Sequence, residues 1–353
     1  MSNYELLDDL YSYNDWANQK VLALCDGLTD AELDQGRDIG LGSLRAVLFH
    51  VLTAERVWMD RWTGVPWRPF PFEPNGVTLD EIREGLEAVA AQRRSLIELH
   101  RADRWREPVT YQNIKQIEFT HELFPLLLHV ANHGVHHRAQ ALHYLKRCGR
   151  VVPGGIDYLF YRLAVSTLEQ PAETVEKFRA FGMDVATAQS PDPSYDRAVI
   201  KKFFSYGDWA NSEVLEMCGS VEETSLDRDF EMGPGTIRKT LLHLLNADQW
   251  WVNNWTDGPG PFPESPPDSP IKAIKAKWAE LRAKRDAYLA TLDEETAQSV
   301  VPIRPVGALT NYHAAETALQ VPLHATHHRS QIINMVKRAG GEVRDIDLLY
   351  SPS

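Results

Sequence analysis

An internal duplication constrains this chain more than any other feature. SYNDWANQKVLALC, from Ser12 to Cys25, returns as SYGDWANSEVLEMC, from Ser205 to Cys218, with nine of fourteen positions identical at an offset of 193 residues. At that offset His50 falls on His243, Trp58 on Trp251 and Trp62 on Trp255. Near the end of each copy, HGVHHRAQ (His133 to Gln140) returns as HATHHRSQ (His324 to Gln331) at an offset of 191. Both halves must therefore suit one fold. At roughly 150 residues per domain, the 353-residue chain holds two copies, each long enough to bury its own core.

Apolar residues recur at helical spacing in both copies. In the first, this predicts helices over 4–24, 43–62, 79–100 and 121–148, with an extended stretch near 109–119. Pro66, Pro69 and Pro71 end the second helix and open a loop. In the second copy the helices fall over 197–217, 236–254, 270–292 and 312–339. The offset shortens between the second and fourth helices, where loops absorb changes of length. Four long helices per copy, joined by polar connections, predict an all-α chain of two tandem antiparallel four-helix bundles. Between them, LEQPAETVEKFRAFGMDVATAQSPDPSYD joins a charged helical piece to the helix-breaking SPDPS. The expected division is 1–165 for the first bundle, 166–194 for a linker and 195–353 for the second bundle.

The formal net charge of −12 argues against nucleic acid as a partner, because phosphate backbones are bound by clustered Lys and Arg. No apolar run approaches the roughly 20 residues of a membrane span. MSNYELLDDLYSY has neither the basic start nor the apolar stretch of a secretion signal. The expectation is a cytoplasmic protein with no nucleic-acid or membrane partner. Three cysteines make no disulfide framework, and no CxxC is present. Cys25 and Cys218 are repeat equivalents at the end of the first helix and read as small buried core residues. The counterpart of Cys148 is Ala339, so Cys148 stands outside any shared chemistry.

The histidines carry the chemistry. On a helix, residues four apart share a face, with Cβ atoms about 6 Å apart, so His133 with His137, and His324 with His328, can converge on one ion. A metal held by two imidazoles needs a third ligand from a neighbouring helix. His50 and His243 are the only other histidines at equivalent positions outside these blocks, and each sits in an apolar helix. A single HxxxH pair is more often solvated or a satisfied core pair. Recurrence with a matched third histidine reverses that reading. Three neutral imidazoles suit Zn, Ni, Fe, Cu or Mn and leave a coordination position open, the pattern of a catalytic site. The expected cofactor is a divalent transition metal, Zn or Ni first, then Fe or Mn. His129 lies one turn before His133 and rivals it, but its equivalent is Gln320. His136 and His327 lie about 100° around the helix from the last ligand and are placed outside the ligand set. His121 and His313 are out of register by one residue and receive no role.

Other repeated polar positions invite supporting roles. Glu55 and Asp248 follow the lone histidine by five residues and are candidates to orient an imidazole or to act as catalytic acids or bases, against the alternative of exposed helix-surface carboxylates. Arg138 and Arg329, followed after one residue by Gln140 and Gln331, are candidates to bind an anionic substrate or, as the favoured reading, to pair with a carboxylate such as Asp157 or Asp347. The paired tryptophans, Trp16 with Trp209, Trp58 with Trp251 and Trp62 with Trp255, read as core.

YNDWAN in the first helix, a histidine in the second and NHGVHHRAQ in the fourth together resemble the DinB superfamily of DinB/YfiT-like metalloenzymes. The likeness spans nearly all of both copies. It implies antiparallel four-helix bundles in which three histidines hold a divalent metal, carried over here as His50, His133 and His137, and as His243, His324 and His328. Family members often dimerise, so the tandem chain looks like a pseudo-dimer within one chain. The usual glycine of HHRGQ is Ala139 in one copy and Ser330 in the other, which leaves every ligand in place. Relatives include thiol-dependent S-transferases and a mycothiol-dependent maleylpyruvate isomerase. The resemblance therefore implies a small-molecule substrate, with a low-molecular-weight thiol as nucleophile in a transferase reaction. A metal-dependent hydrolase, with water in the same position, is the alternative, and a non-catalytic metal-binding or interaction protein is another. A pocket that reaches the open coordination position, and basic groups lining it, would favour the enzymatic readings.

Overall fold

The second long helix of each copy begins at a hydroxyl cap, and that cap recurs in both copies. The fold is described from a computed structural model, over residues 3–69, 73–74, 76–100, 104–166, 168–183, 185, 196–305 and 307–352. Pro71 and the SPDPS stretch lie outside the described residues. The chain divides into two compact units, one of Met1–Val151 with Asp347–Tyr350, the other of Val152–Ile346 with Ser351–Ser353.

In the first unit, α1 (Asn3–Leu24) leads through a short α2 (Asp30–Leu33) to α3 (Leu44–Trp62) and α4 (Leu79–Leu99). A hairpin of β1 (Pro108–Gln112) and β2 (Glu118–Glu122) then precedes α5 (Leu123–Arg147). In the second unit, α6 (Tyr158–Val165) and α7 (Ala172–Ala180) come before α8 (Arg197–Cys218), α9 (Ile237–Thr256) and α10 (Ile271–Leu289). A second hairpin, β3 (Val300–Ile303) and β4 (Thr310–His313), leads into α11 (Ala314–Arg338). The extended stretch expected in the first copy is thus a hairpin, and the second copy has one too, although its sequence gave no comparable sign.

Around the first bundle α1 and α3 each pack against both α4 and α5, and around the second α8 and α9 each pack against both α10 and α11. Two four-helix bundles of the same arrangement result. Ser43 and Thr236, repeat equivalents, accept the backbone N–H of Ala46 and Lys239 at 3.1 Å and so open α3 and α9. Two residues after the caps, Arg45 and Arg238 reach back to the preceding segment, to Asp30 and Asp34 in one copy and Glu223 and Asp227 in the other. Each also donates to the carbonyl before the third helix, Val77 or Ser269. The inner faces are closed by apolar residues such as Leu44, Val47 and Leu52 of α3 and Ile237, Leu241 and Leu245 of α9, all at most 3% exposed. Each such side chain contributes about 1.5–3 kcal/mol on burial, and this rather than intrinsic propensity holds the helices. The tryptophans Trp58, Trp62 and Trp251 are buried, as is each of the repeat-equivalent cysteines Cys25 and Cys218, whose thiols burial pushes up to about 12.

The short segments that follow the fourth helices are placed differently from the expected division. Residues 152–165 belong to the second unit, where α6 packs on α11 and the buried Arg162 donates to Glu316 Oε1 at 2.6 Å. Residues 347–350 belong to the first unit, where the turn Leu348–Tyr350 packs on α5. The physical reason is visible in α6: eight residues with Tyr158, Leu159, Tyr161 and Leu163 buried form an apolar strip too short to stand without a bundle face to cover it. The four long helices of each copy nevertheless stay within their own unit.

Candidate metal centre

Because α3 lies against α5, and α9 against α11, the lone histidine of each copy faces the histidine pair of the same copy. His50 Nε2 lies 3.4 Å from His133 Nε2, which lies 3.1 Å from His137 Nε2. In the second unit His243 Nε2 and His324 Nε2 are 3.2 Å apart, and the His328 ring centroid lies 4.5 Å from each of the other two. The ligand atoms of each trio lie within 4.8 Å of one another. Two imidazole nitrogens on a tetrahedral Zn, at about 2.0–2.1 Å each, are separated by about 3.4 Å. The spacing of these trios fits that demand.

Hydrogen bonds on the far side of the rings reinforce the fit. His137 Nδ1 lies 3.0 Å from Gln140 Oε1, and His328 Nδ1 lies 2.8 Å from Gln331 Oε1. His324 Nδ1 lies 2.8 Å from Asp157 Oδ2. An oxygen acceptor at Nδ1 places the proton there and turns the Nε2 lone pair toward the trio. Convergent lone pairs repel unless a cation sits among them, so the donor set suits a metal. The two glutamines are themselves held: Gln140 Nε2 contacts His136 at 3.1 Å and Gln331 Nε2 contacts His327 at 3.0 Å. Above them run Gly40 and Gly233, equivalent residues with φ of +48° and +52°, where an added Cβ would lie 2.4 and 2.2 Å from the glutamine oxygen. Only glycine suits both that backbone and that approach. The sequence reading missed these glutamines as histidine partners. Their signal was the three-residue step from His137 to Gln140, repeated from His328 to Gln331.

Burial also prepares the ligands. It pushes His50 down to about 4 and His243 down to about 4, and it lowers His133, His137 and His328 well below the ordinary histidine range. His324 departs from this pattern. Burial lowers it, but the charge and hydrogen bond of Asp157 more than offset that, leaving it raised. Asp157, which is half-buried, is held well below the usual carboxylate range by His324. Burial therefore keeps the ligands of the first site neutral, whereas His324 of the second holds its proton more firmly and must give it up to a metal. We expect the second site to release more protons per ion than the first, so its affinity falls sooner on acidification. Calorimetry in buffers of different ionisation enthalpy, on His137→Ala and His328→Ala proteins that each retain one site, measures this. Asp157→Asn should erase the difference.

The remaining sequence candidates fall outside the trios. His129 is 4% exposed and sets its ring edge against Trp58 at 5.2 Å rather than joining the ligands, and its equivalent Gln320 donates to Asp157. Glu55 accepts from Asn14 at 2.9 Å and pairs with Arg93. Asp248 accepts from Trp278 Nε1 at 2.7 Å. Both carboxylates are thus occupied by structural partners of their own bundle. The expected pairing of Arg138 and Arg329 with Asp157 or Asp347 is corrected. Arg138 donates to Asn14 and Asn18 and lies over Tyr13, while Arg329 donates to Asn211 and Thr326 and lies over Tyr206. Planar amides and aromatic faces satisfy a buried guanidinium with less desolvation than a carboxylate brings.

A cavity of about 960 Å³ in the first unit reaches the metal centre: His50 and His133 line it. Arg61, Arg68 and Lys115 stand on its wall together with Trp58, Tyr111 and Phe119. In the second unit Phe262 stacks on His243, with centroids 5.7 Å apart and planes at 23°. No helix among the described residues is long and apolar enough to cross a membrane.

Comparison with known proteins agrees with this geometry. The family model described as the DinB family matches residues 1–172 and again 192–352. Protein DinB of Bacillus subtilis (strain 168) is 24% identical over 168 residues, which is 45% of this chain and 94% of that protein. No solved structure is matched. One copy here thus corresponds to a whole relative, each copy carries the three-histidine arrangement, and the family match covers both: the chain belongs to the DinB family.

Proposed function

We propose that this protein is a metal-dependent enzyme whose first three-histidine centre activates a small nucleophile, the sulfur of a low-molecular-weight thiol, for transfer to an electrophile held in the adjoining cavity. The observation that carries the reading is the cavity itself: it reaches His50 and His133 and has cationic residues on its wall. A closed cage would have favoured a non-catalytic metal protein. His50, His133 and His137 would hold a divalent transition metal, whose Lewis acidity would lower the pKa of a bound thiol so that it is a thiolate at neutral pH. Gln140 fixes the His137 ring, and burial keeps the three imidazoles neutral and ready to ligate. In the transfer the thiol proton passes to solvent, a carbon–sulfur bond forms, and the leaving group departs with the electron pair of its bond. Glu55 and Asp248 are assigned no proton-transfer step, since each serves a buried partner. The second centre, with Phe262 on His243, is read as the less accessible of the two.

The test loads the purified protein with zinc, nickel, iron or manganese and follows conjugation of monochlorobimane with cysteine or glutathione. Acceleration above the uncatalysed rate is expected with at least one pair, and His50→Ala should remove at least tenfold of it, on the scale of a lost nucleophile-activating group. Cleavage of esters or amides with no thiol present would replace this reading with the hydrolase one.

A further inference from the structure

The cavity beside the first metal centre has a cation without a carboxylate partner. Arg61 is half-buried on α3; its charge acts on Tyr111, Tyr350 and His129, none of them a carboxylate, and it donates a hydrogen bond to the Gln112 carbonyl at 3.0 Å. The guanidinium lies 4.4 Å from the Trp58 ring centre and 4.9 Å from that of Tyr111. Contacts of this kind hold an arginine plane in place while leaving the rest of its donor fork for a ligand. Arg68, by contrast, is spent on Asp60, at 2.6 Å.

The wall on which Arg61 lies is aromatic and continuous with the metal centre. Trp58 meets Tyr111 edge-on at 5.1 Å, Tyr111 stacks with Phe119 at 6.0 Å, and Phe119 stacks with His121 at 6.2 Å. From the other side, Trp58 meets His129 at 5.2 Å, which lies 5.7 Å from the ligand His133. One path of rings therefore leads from Arg61 to the triad.

The second copy keeps a tryptophan, Trp251, at the position of Trp58 but has neither the cation nor the two strand rings. Arg61 corresponds to Asn254, which is buried and donates to the Trp250 carbonyl at 2.6 Å. The paired strand residues Tyr111 and Phe119 correspond in register to Ile303 and Thr310, both fully buried. The bundle does not need an arginine and an aromatic strip at these positions, since its own duplicate does without them.

We propose that the first cavity is a binding site for aromatic carboxylates, with Arg61 pairing with the carboxylate and the Trp58–Tyr111–Phe119 wall covering the ring, and that the second copy lacks this site. The inference rests on the reading of the first centre as the reactive one only in making such a compound the electrophile; binding itself requires no turnover. A carboxylate meets a planar fork bidentately, and the rings supply an apolar face for the attached π system.

Calorimetric titration of the zinc-loaded protein with cinnamate and with its neutral counterpart cinnamamide tests this. Cinnamate should bind at least roughly tenfold more tightly, at a stoichiometry of one per chain, consistent with a charge-assisted pair. Arg61→Gln should abolish the preference while leaving cinnamamide unchanged, which also shows the cavity intact, and Arg61→Lys should retain part of it. The preference should survive removal of zinc with a chelator. Equal binding of the two probes, binding of neither, or a preference that persists in Arg61→Gln would overturn the proposal. So would a preference that disappears with zinc, since the metal would then be the anion's partner. Failure of thiol transfer, with Arg61-dependent binding intact, would count against the activity alone.

Discussion

Replacing His137 with alanine should take this protein from two bound transition-metal ions per chain to one, and His328→Ala should remove the other. Each trio is assembled wholly within one unit, His50 with His133 and His137 and His243 with His324 and His328, so the losses should be independent. Two imidazoles hold such ions far more weakly than three. The effect should exceed the roughly 10–100-fold that follows loss of a partner behind a ligand. Gln140→Ala, which frees Nδ1 of His137, should produce that smaller change. His129→Ala is the contrasting case: the ring is one turn from His133 yet turns to Trp58, so metal content should stay at two. Elemental analysis after dialysis, with competition against a chromophoric chelator, reads all four. Unchanged metal content in His137→Ala would remove the ligand assignment.

The ligands were legible because duplication works as an internal control. Drift had altered His129 to Gln320, Asn132 to Leu323 and His143 to Asn334, while the three positions that converge in space kept their histidines. The helices were legible for a related reason, since an apolar stripe at 3.6-residue spacing states which face is buried. What the sequence did not state was which group on one helix meets which on another. Arg138 illustrates this. Its neighbours are Asn14 and Asn18 of α1, and the approach is possible because residue 134 is glycine; a Cβ there would lie 2.4 Å from Asn14 Oδ1. In the other copy the small residue has changed sides, with Gly207 in place of Asn14 and Ala325 in place of Gly134. Such compensations are three-dimensional and leave no periodic trace. The placement of Asp157 was hidden likewise, since a carboxylate ten residues past α5 reads as part of the first copy until the chain is seen to carry it into the second unit.

Arg93→Met should destabilise the first unit by about 3–5 kcal/mol, the range for breaking a buried ion pair from one side. Arg93 is 1% exposed and donates to both Glu55 and Asp15, whose side chains are 6% and 20% exposed. Without the guanidinium, Glu55 would retain only the amide of Asn14 and must either protonate or draw water into the bundle. For a unit of this size the melting transition should fall on the order of 10 °C, visible by calorimetry or circular dichroism. The second copy supplies a comparison. There Arg285 holds Asp208 at 2.8 Å, while Asp248, the counterpart of Glu55, is satisfied by Trp278. Arg285→Met should therefore disturb its unit less than Arg93→Met disturbs the first. Adding Glu55→Gln to Arg93→Met removes the stranded charge, so the double variant should recover part of the loss, a coupling that only direct partners show. This also decides what Glu55 does. As a partner of Arg93 it should change the melting temperature when replaced by Gln and leave turnover by the folded protein nearly unaltered. Lost turnover in a Glu55→Gln protein that melts like the parent would instead return Glu55 to the reacting centre.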